Sequence, residues 1–164
     1  MDPHVWLSPP EIKIQARNIA RALREADPER EEAYEANLED FLREVDEVHD
    51  RLREALAPYR GRTFYVYHPA FGYFARSYGL EQKAVETGGR GPTGRELLSL
   101  IEQAREENVR VIFVQPQFRS DSAETIADAI NGVVISLDPL AEDVLSNLLD
   151  IGDRVGRALS GEER

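Results

Sequence analysis

From Arg62 onward, short β-rich runs alternate with amphipathic helical patterns, and the alternation occurs four times. Such alternation is typical of α/β folds, in which parallel strands are joined by right-handed helical crossovers. The apolar runs have the continuous hydrophobic character of strands that are buried on both faces. We therefore predict an α/β, Rossmann-like lobe with a four-stranded parallel sheet flanked by helices. The strands are expected near 63–67, 80–86, 109–115 and 133–137.

A long connecting helix is predicted ahead of this lobe, over residues 28–57. Its apolar positions alternate steps of four and three over about three heptads. They are Tyr34, Leu38, Phe41, Val45, Val48, Leu52 and Ala55. The pattern fits a long amphipathic helix lying on its own domain, which we favour, or a coiled coil. An unpartnered seam in water predicts a homodimer through this helix, with the helix that begins near Ser8 and Pro9 exchanged between chains.

The composition excludes several classes of function. The formal net charge of −11 argues against binding nucleic acid or an anionic membrane surface through a general basic field. The chain has no cysteine, which excludes disulfides and thiolate metal sites. The sequence contains no apolar run long enough to span a membrane and does not open with a basic-then-apolar signal segment.

Three of the predicted strands end in the same way, with one polar side chain followed by a proline. The segments "YVYHP", "IFVQP" and "ISLDP" place His68, Gln115 and Asp138 at these ends. Because the carboxyl ends of parallel strands line one edge of a sheet, we expect these side chains to face a common space, with His68 and Asp138 at adjoining strand ends. Histidine and carboxylate suit a divalent ion such as zinc or manganese. A packing histidine and an Asp-Pro turn explain the same residues, so both interpretations stay open at this point.

His4 adds a second histidine to this pattern. In "DPHVW", Asp2 is placed to accept a hydrogen bond from a ring nitrogen or a backbone N–H, an arrangement that orients metal-binding imidazoles. The third histidine, His49, lies in the charged helical segment "EVHDRLRE" and is predicted to be a solvated surface residue.

The order and spacing of these segments resemble the zinc- and manganese-binding solute-binding proteins of ABC transporters. The matching segments include "DPHVWLSP", "VYHPAFGYFARSYGL", "VIFVQPQF" and "SLDPL", and the match runs from residue 2 to about residue 158. The resemblance implies two α/β lobes joined by a rigid helix, with the metal held between them. It implies His4, His68 and Asp138 as ligands of zinc or manganese. Many relatives have glutamate where Gln115 stands, and the neutral glutamine is a poorer ligand, so the resemblance gives Gln115 a pocket-lining role at most.

The resemblance also implies that a first ligand histidine, a signal peptide and most of the first lobe precede residue 1. Residues 1–27 are then the end of the first lobe, 28–58 the connecting helix and 59–164 the second lobe. We expect the full-length protein to be exported, to stay outside the cytoplasmic membrane and to pass metal to an ABC permease without enzymatic activity. With a ligand missing, this chain is expected to bind zinc weakly or to have an empty site.

Two other functions fit parts of the sequence. A metal-assisted hydrolase would use the same three ligands with a bound water, and Glu142 or Asp143 would act as its acid or base. An assembly domain would use only the heptad helix, and the strand-end polar residues would be turns.

Overall fold

A computed structural model describes residues 2–119 and 121–162. Two helices form an N-terminal hairpin, and strands then alternate with helices to the end of the chain. Short 3₁₀ turns lie at Val5–Leu7, Pro28–Arg30 and Ala57–Tyr59. The elements are α1 (Pro9–Ala26), α2 (Glu31–Leu56), β1 (Thr63–Val66), α3 (Gly72–Tyr78), β2 (Glu81–Ala84), α4 (Gly94–Glu106), β3 (Val111–Val114), α5 (Asp121–Ala129), β4 (Val133–Ser136) and α6 (Val144–Ser160).

The four strands form one parallel sheet in the order β2-β1-β3-β4, which confirms the predicted fold class. The strands are shorter than the predicted ranges, but main-chain hydrogen bonds continue past their ends. Tyr67 N donates to Phe113 O at 2.7 Å, and Glu86 N donates to Tyr67 O at 3.0 Å. The carboxyl ends of β1, β2 and β3 are therefore held in register beyond the formal strands.

The sheet is buried on both faces, as the apolar strands predict. Successive side chains of a strand point to opposite faces. Phe64 and Val66 of β1 accordingly lie in one apolar cluster with residues of α2, α3 and α6, whereas Tyr65 lies in a second cluster with residues of α4 and α5. None of the helices that the structure describes is long and apolar enough to cross a membrane.

The second half of α2 packs on the protein's own core, in agreement with the amphipathic-helix interpretation. Val45, Val48 and Leu52 are 0%, 7% and 2% exposed. The expectation that these positions form an exposed seam is therefore wrong, because α6 and the residues around Leu7 cover them. The exposed apolar residues of the hairpin lie instead on α1, where Ile14 and Ile19 are 58% and 60% exposed.

Candidate metal centre

Residues 6–8 are anchored at the carboxyl edge of the sheet and in the core. Leu7 is fully buried in the core, and the Trp6 indole donates through Nε1 to the carbonyl of Pro139 at 2.8 Å. Ser8, which precedes α1, makes no capping bond with its side chain. Its buried hydroxyl lies 2.8 Å from the Ser77 hydroxyl of α3. These contacts fix the segment that carries His4 beside the ends of β1 and β4.

The His4 ring is held by Asp2, as the sequence predicts. Asp2 Oδ1 lies 2.7 Å from His4 Nδ1 and accepts from the His4 backbone N–H at 3.0 Å. The carboxylate rests over the first residue of α3, since a Cβ added to Gly72 would lie 2.7 Å from Asp2 Oδ2. A glycine at this position gives the carboxylate room to reach the histidine.

His68 lies two residues after the end of β1, and its ring is held in the same way. Its Nδ1 lies 2.8 Å from Oε1 of Glu86, a carboxylate whose side chain is only 4% exposed. Glu86 was not among the predicted site residues. Glu86 also ends a predicted strand, but no proline follows it. It therefore does not match the pattern of a polar residue plus proline that identified His68, Gln115 and Asp138.

The two imidazoles lie next to each other. Their ring centroids are 5.2 Å apart, and the ring planes are at 79°. Phe118 stacks on His68 with a centroid distance of 4.7 Å, and Trp6 contacts His4 at 5.3 Å. Among the residues described, Nε2 of neither histidine makes a hydrogen bond. Both rings are thus fixed through Nδ1, and Nε2 is the nitrogen left for a ligand.

Gln115 supports the backbone of His68. It is 1% exposed, its Oε1 accepts from His68 N at 3.1 Å and its Nε2 donates to His68 O at 2.7 Å. Both ends of the amide are therefore engaged by the main chain at the end of β1. The Gln115 side chain therefore fixes the backbone position of His68 at the end of β1.

Asp138 is farther from His68 along the sheet than the sequence suggested. The expectation that the two residues sit at adjoining strand ends is wrong, because β3 lies between β1 and β4. Asp138 Oδ1 accepts from Gln117 Nε2 at 2.8 Å and from Leu140 N at 3.0 Å. Within residues 2–119 and 121–162, no three histidine or carboxylate side chains converge closely enough to hold a metal ion.

His49 lies on α2, where it is half-buried against Tyr78 of α3. Its Nδ1 lies 3.3 Å from the Tyr78 hydroxyl, so the expectation of a solvated surface residue is corrected. Burial lowers the pKa of His49, with a smaller contribution from the charge of Arg53. The neighbours of His49 include Pro9 and Pro10. His4 and His68 are not among them.

Comparison with known proteins identifies the family. The protein-family model for ZnuA, which is described as the periplasmic component A of a zinc-uptake complex, matches residues 1–149. The chain belongs to this family. The ZnuA family includes the high-affinity zinc uptake system protein ZnuA of Bacillus subtilis, which is 32% identical over 142 residues, or 85% of this chain and 44% of the relative. The Haemophilus influenzae protein of the same name is 34% identical over 143 residues, or 86% and 42%.

Solved structures of the ZnuA family confirm the fold. A crystal structure of ZnuA superposes with a TM-score of 0.94 at 43% identity and covers 96% of this chain and 60% of that one. A ZnuA deletion mutant with zinc bound superposes with a TM-score of 0.91 at the same identity. The resemblance predicted from the sequence is therefore confirmed. The chain spans less than half the length of these two curated relatives.

Proposed function

We propose that the chain is part of the metal-binding component of an ABC-type zinc uptake system and that it binds the ion through Nε2 of His4 and Nε2 of His68. The observation that carries the proposal is the pair of adjacent imidazoles, each with Nδ1 against a carboxylate at 2.7 Å or 2.8 Å. A carboxylate at Nδ1 favours the tautomer with the proton on that nitrogen, which leaves the Nε2 lone pair for a metal.

The ring separation supports a shared ion. Imidazoles bound to one tetrahedral zinc at Zn–N distances of ~2.0–2.1 Å have centroids roughly 5 Å apart. The observed centroid distance is 5.2 Å. Imidazole nitrogen suits zinc, whereas manganese prefers oxygen ligands, so two histidines favour zinc. Zinc is also named in the functions of the curated relatives from B. subtilis and H. influenzae.

Asp138 is proposed as the third ligand. It lies in the loop after β4, and the hydrogen bond from Trp6 to Pro139 ties that loop to the segment that carries His4. Coordination requires its carboxylate to exchange the contact with Gln117 for the ion. Two histidines and one carboxylate, with water completing the shell, make a weaker and more exchangeable site than four protein ligands.

Titration calorimetry with zinc tests this assignment. His68→Ala and Asp138→Ala are each expected to abolish zinc binding, because neither residue has a second metal-donor group beside it that could replace it. His49→Ala is the matched control, since it removes an imidazole that lies against Tyr78 on another surface. Unchanged binding after loss of His68, or equal loss after removal of His49, would place the metal elsewhere.

Binding without catalysis is the better-supported role for this centre. Asp143, one candidate acid or base of a hydrolase, caps α6: its carboxylate accepts from Ser146 Oγ at 2.7 Å and from Ser146 N at 3.1 Å. These hydrogen bonds lower the pKa of Asp143 and favour a carboxylate committed to the helix. Turnover of generic ester or phosphate substrates with added zinc would contradict the proposal.

We further propose that the full-length protein works outside the cytoplasmic membrane and delivers its ion to an ABC permease. The family description as periplasmic and the zinc uptake function of the relatives support this placement. Fractionation of cells that express the full-length protein tests it. Recovery in the periplasmic or surface fraction is expected, and recovery only in the cytosol would contradict the proposal.

A further inference from the structure

Glu86 is a buried carboxylate that the proposed zinc site does not itself require as a ligand. It follows β2, its side chain is 4% exposed, and its backbone N–H donates to Tyr67 O at 3.0 Å. This main-chain bond fixes the end of β2 against the end of β1. The Glu86 carboxylate therefore reaches His68 from an ordered neighbouring strand.

A buried carboxylate is costly unless a partner compensates its charge. Within the described residues, neither lysine nor arginine forms an ion pair with Glu86, and its side-chain partner is Nδ1 of His68 at 2.8 Å. Lys83, on the same strand, instead pairs with Glu107 at 2.8 Å. The negative charge of Glu86 is thus directed at one imidazole.

We propose that Glu86 is a positioning residue for metal binding. It holds the proton of His68 on Nδ1, fixes the rotation of the ring and leaves Nε2 as the donor to zinc. Its charge also increases the electron density that the imidazole offers to the ion. This inference rests on the proposed function, because it assigns Glu86 a role only through His68.

Glu86 is more buried than Asp2, the carboxylate that holds His4, and its loss is therefore expected to have the larger effect on zinc binding. Asp2 holds His4 at a similar distance, but its side chain is 31% exposed, against 4% for Glu86. Water screens a charge more strongly at an exposed position than at a buried one. Loss of the Glu86 carboxylate is therefore expected to weaken zinc binding more than Asp2→Asn does.

The test measures zinc affinity for Glu86→Leu and Glu86→Gln by competition with a chromophoric chelator. Loss of such a supporting carboxylate typically weakens metal binding about 10- to 100-fold, and Glu86→Leu is expected to fall in this range. Glu86→Gln keeps an oxygen that can accept from Nδ1–H, so it is expected to restore part of the affinity. Glu81→Leu is the matched control, at the exposed start of the same strand.

A spectroscopic measurement separates positioning from a purely structural role. Long-range ¹⁵N–¹H correlation spectra of the metal-free protein report which nitrogen of His68 carries the proton. Glu86→Leu is expected to increase the share of the Nε2–H tautomer of His68 and to leave the His4 signals unchanged. A role in folding alone would change the thermal midpoint without this shift.

Two results would overturn the inference. One is zinc binding by Glu86→Leu within twofold of the wild type, and the other is an unchanged tautomer of His68 in that variant. If His68→Ala abolishes zinc binding while Glu86→Leu binds normally, this inference fails and the proposed function stands. If His68→Ala binds zinc as the wild type does, the proposed function itself fails.

Discussion

Replacing Gln115 by methionine removes two hydrogen bonds to the His68 backbone while nearly preserving side-chain shape. The carbonyl of His68 keeps a partner, because Ala70 N also donates to it at 2.8 Å. The N–H of His68 loses its acceptor, Gln115 Oε1, at a position where the glutamine is 1% exposed. The change therefore leaves one orphaned donor, and an unsatisfied buried group costs about 1–3 kcal/mol.

Urea and thermal unfolding measure this cost. A loss of about 1–3 kcal/mol corresponds to a midpoint roughly 2–12 °C lower for a chain of this size. Zinc affinity is expected to fall as well, because the backbone that carries His68 is less constrained. Gln117→Met is the control: this glutamine is exposed, and its loss is expected to change stability by less than about 0.5 kcal/mol. Equal stability of Gln115→Met and the wild type would refute the argument.

Further predictions concern packing, pH and assembly. Gly152→Ala would bring a methyl group onto Leu52 and is expected to destabilise the protein by about 1–3 kcal/mol in urea unfolding. In the control Gly156→Ala, the new Cβ would lie 3.7 Å from Tyr59 Cε2, so no loss is expected. Because burial lowers the pKa of His49, the unfolded chain binds more protons than the folded one between that lowered pKa and the unfolded value of 6.5. The free energy of unfolding should therefore rise with pH through this window, and His49→Gln should show a smaller rise; equal slopes would contradict the assignment. Light scattering is expected to show a homodimer, for which the exposed Ile14 and Ile19 of α1 offer an apolar face in place of the buried half of α2; a monomer at high micromolar concentration would exclude it.

The sequence pattern was sufficient to predict the α/β class, the four strands and the long helix. Apolar periodicity determines which residues leave water, and parallel strands with helical crossovers follow from the alternation. Periodicity does not say what covers an apolar face. Val45 and Val48 fit a seam between two chains as well as the core that they occupy. The division of the chain at residues 27 and 58 stays a prediction.

The candidate site was predictable only in part for a related reason. His4 and His68 were found from local features, namely a neighbouring aspartate and a strand end. Strand order is a tertiary property, and it separates Asp138 from His68 and brings Glu86 beside it. Gln115 also illustrates this limit. The resemblance predicted a pocket-lining residue, whereas its position just after β3, beside the end of β1, lets its amide bond the His68 backbone.

Zinc K-edge X-ray absorption of the zinc-loaded chain shows whether His4 and His68 bind one zinc ion. Imidazole scattering from two histidines at Zn–N distances of about 2.0–2.1 Å is expected. His68→Ala, measured at a zinc concentration that still loads the protein, should show one imidazole. A zinc shell without imidazole scattering in the wild type, or a histidine count that His68→Ala leaves unchanged, would contradict the pairing of His4 and His68 on one ion.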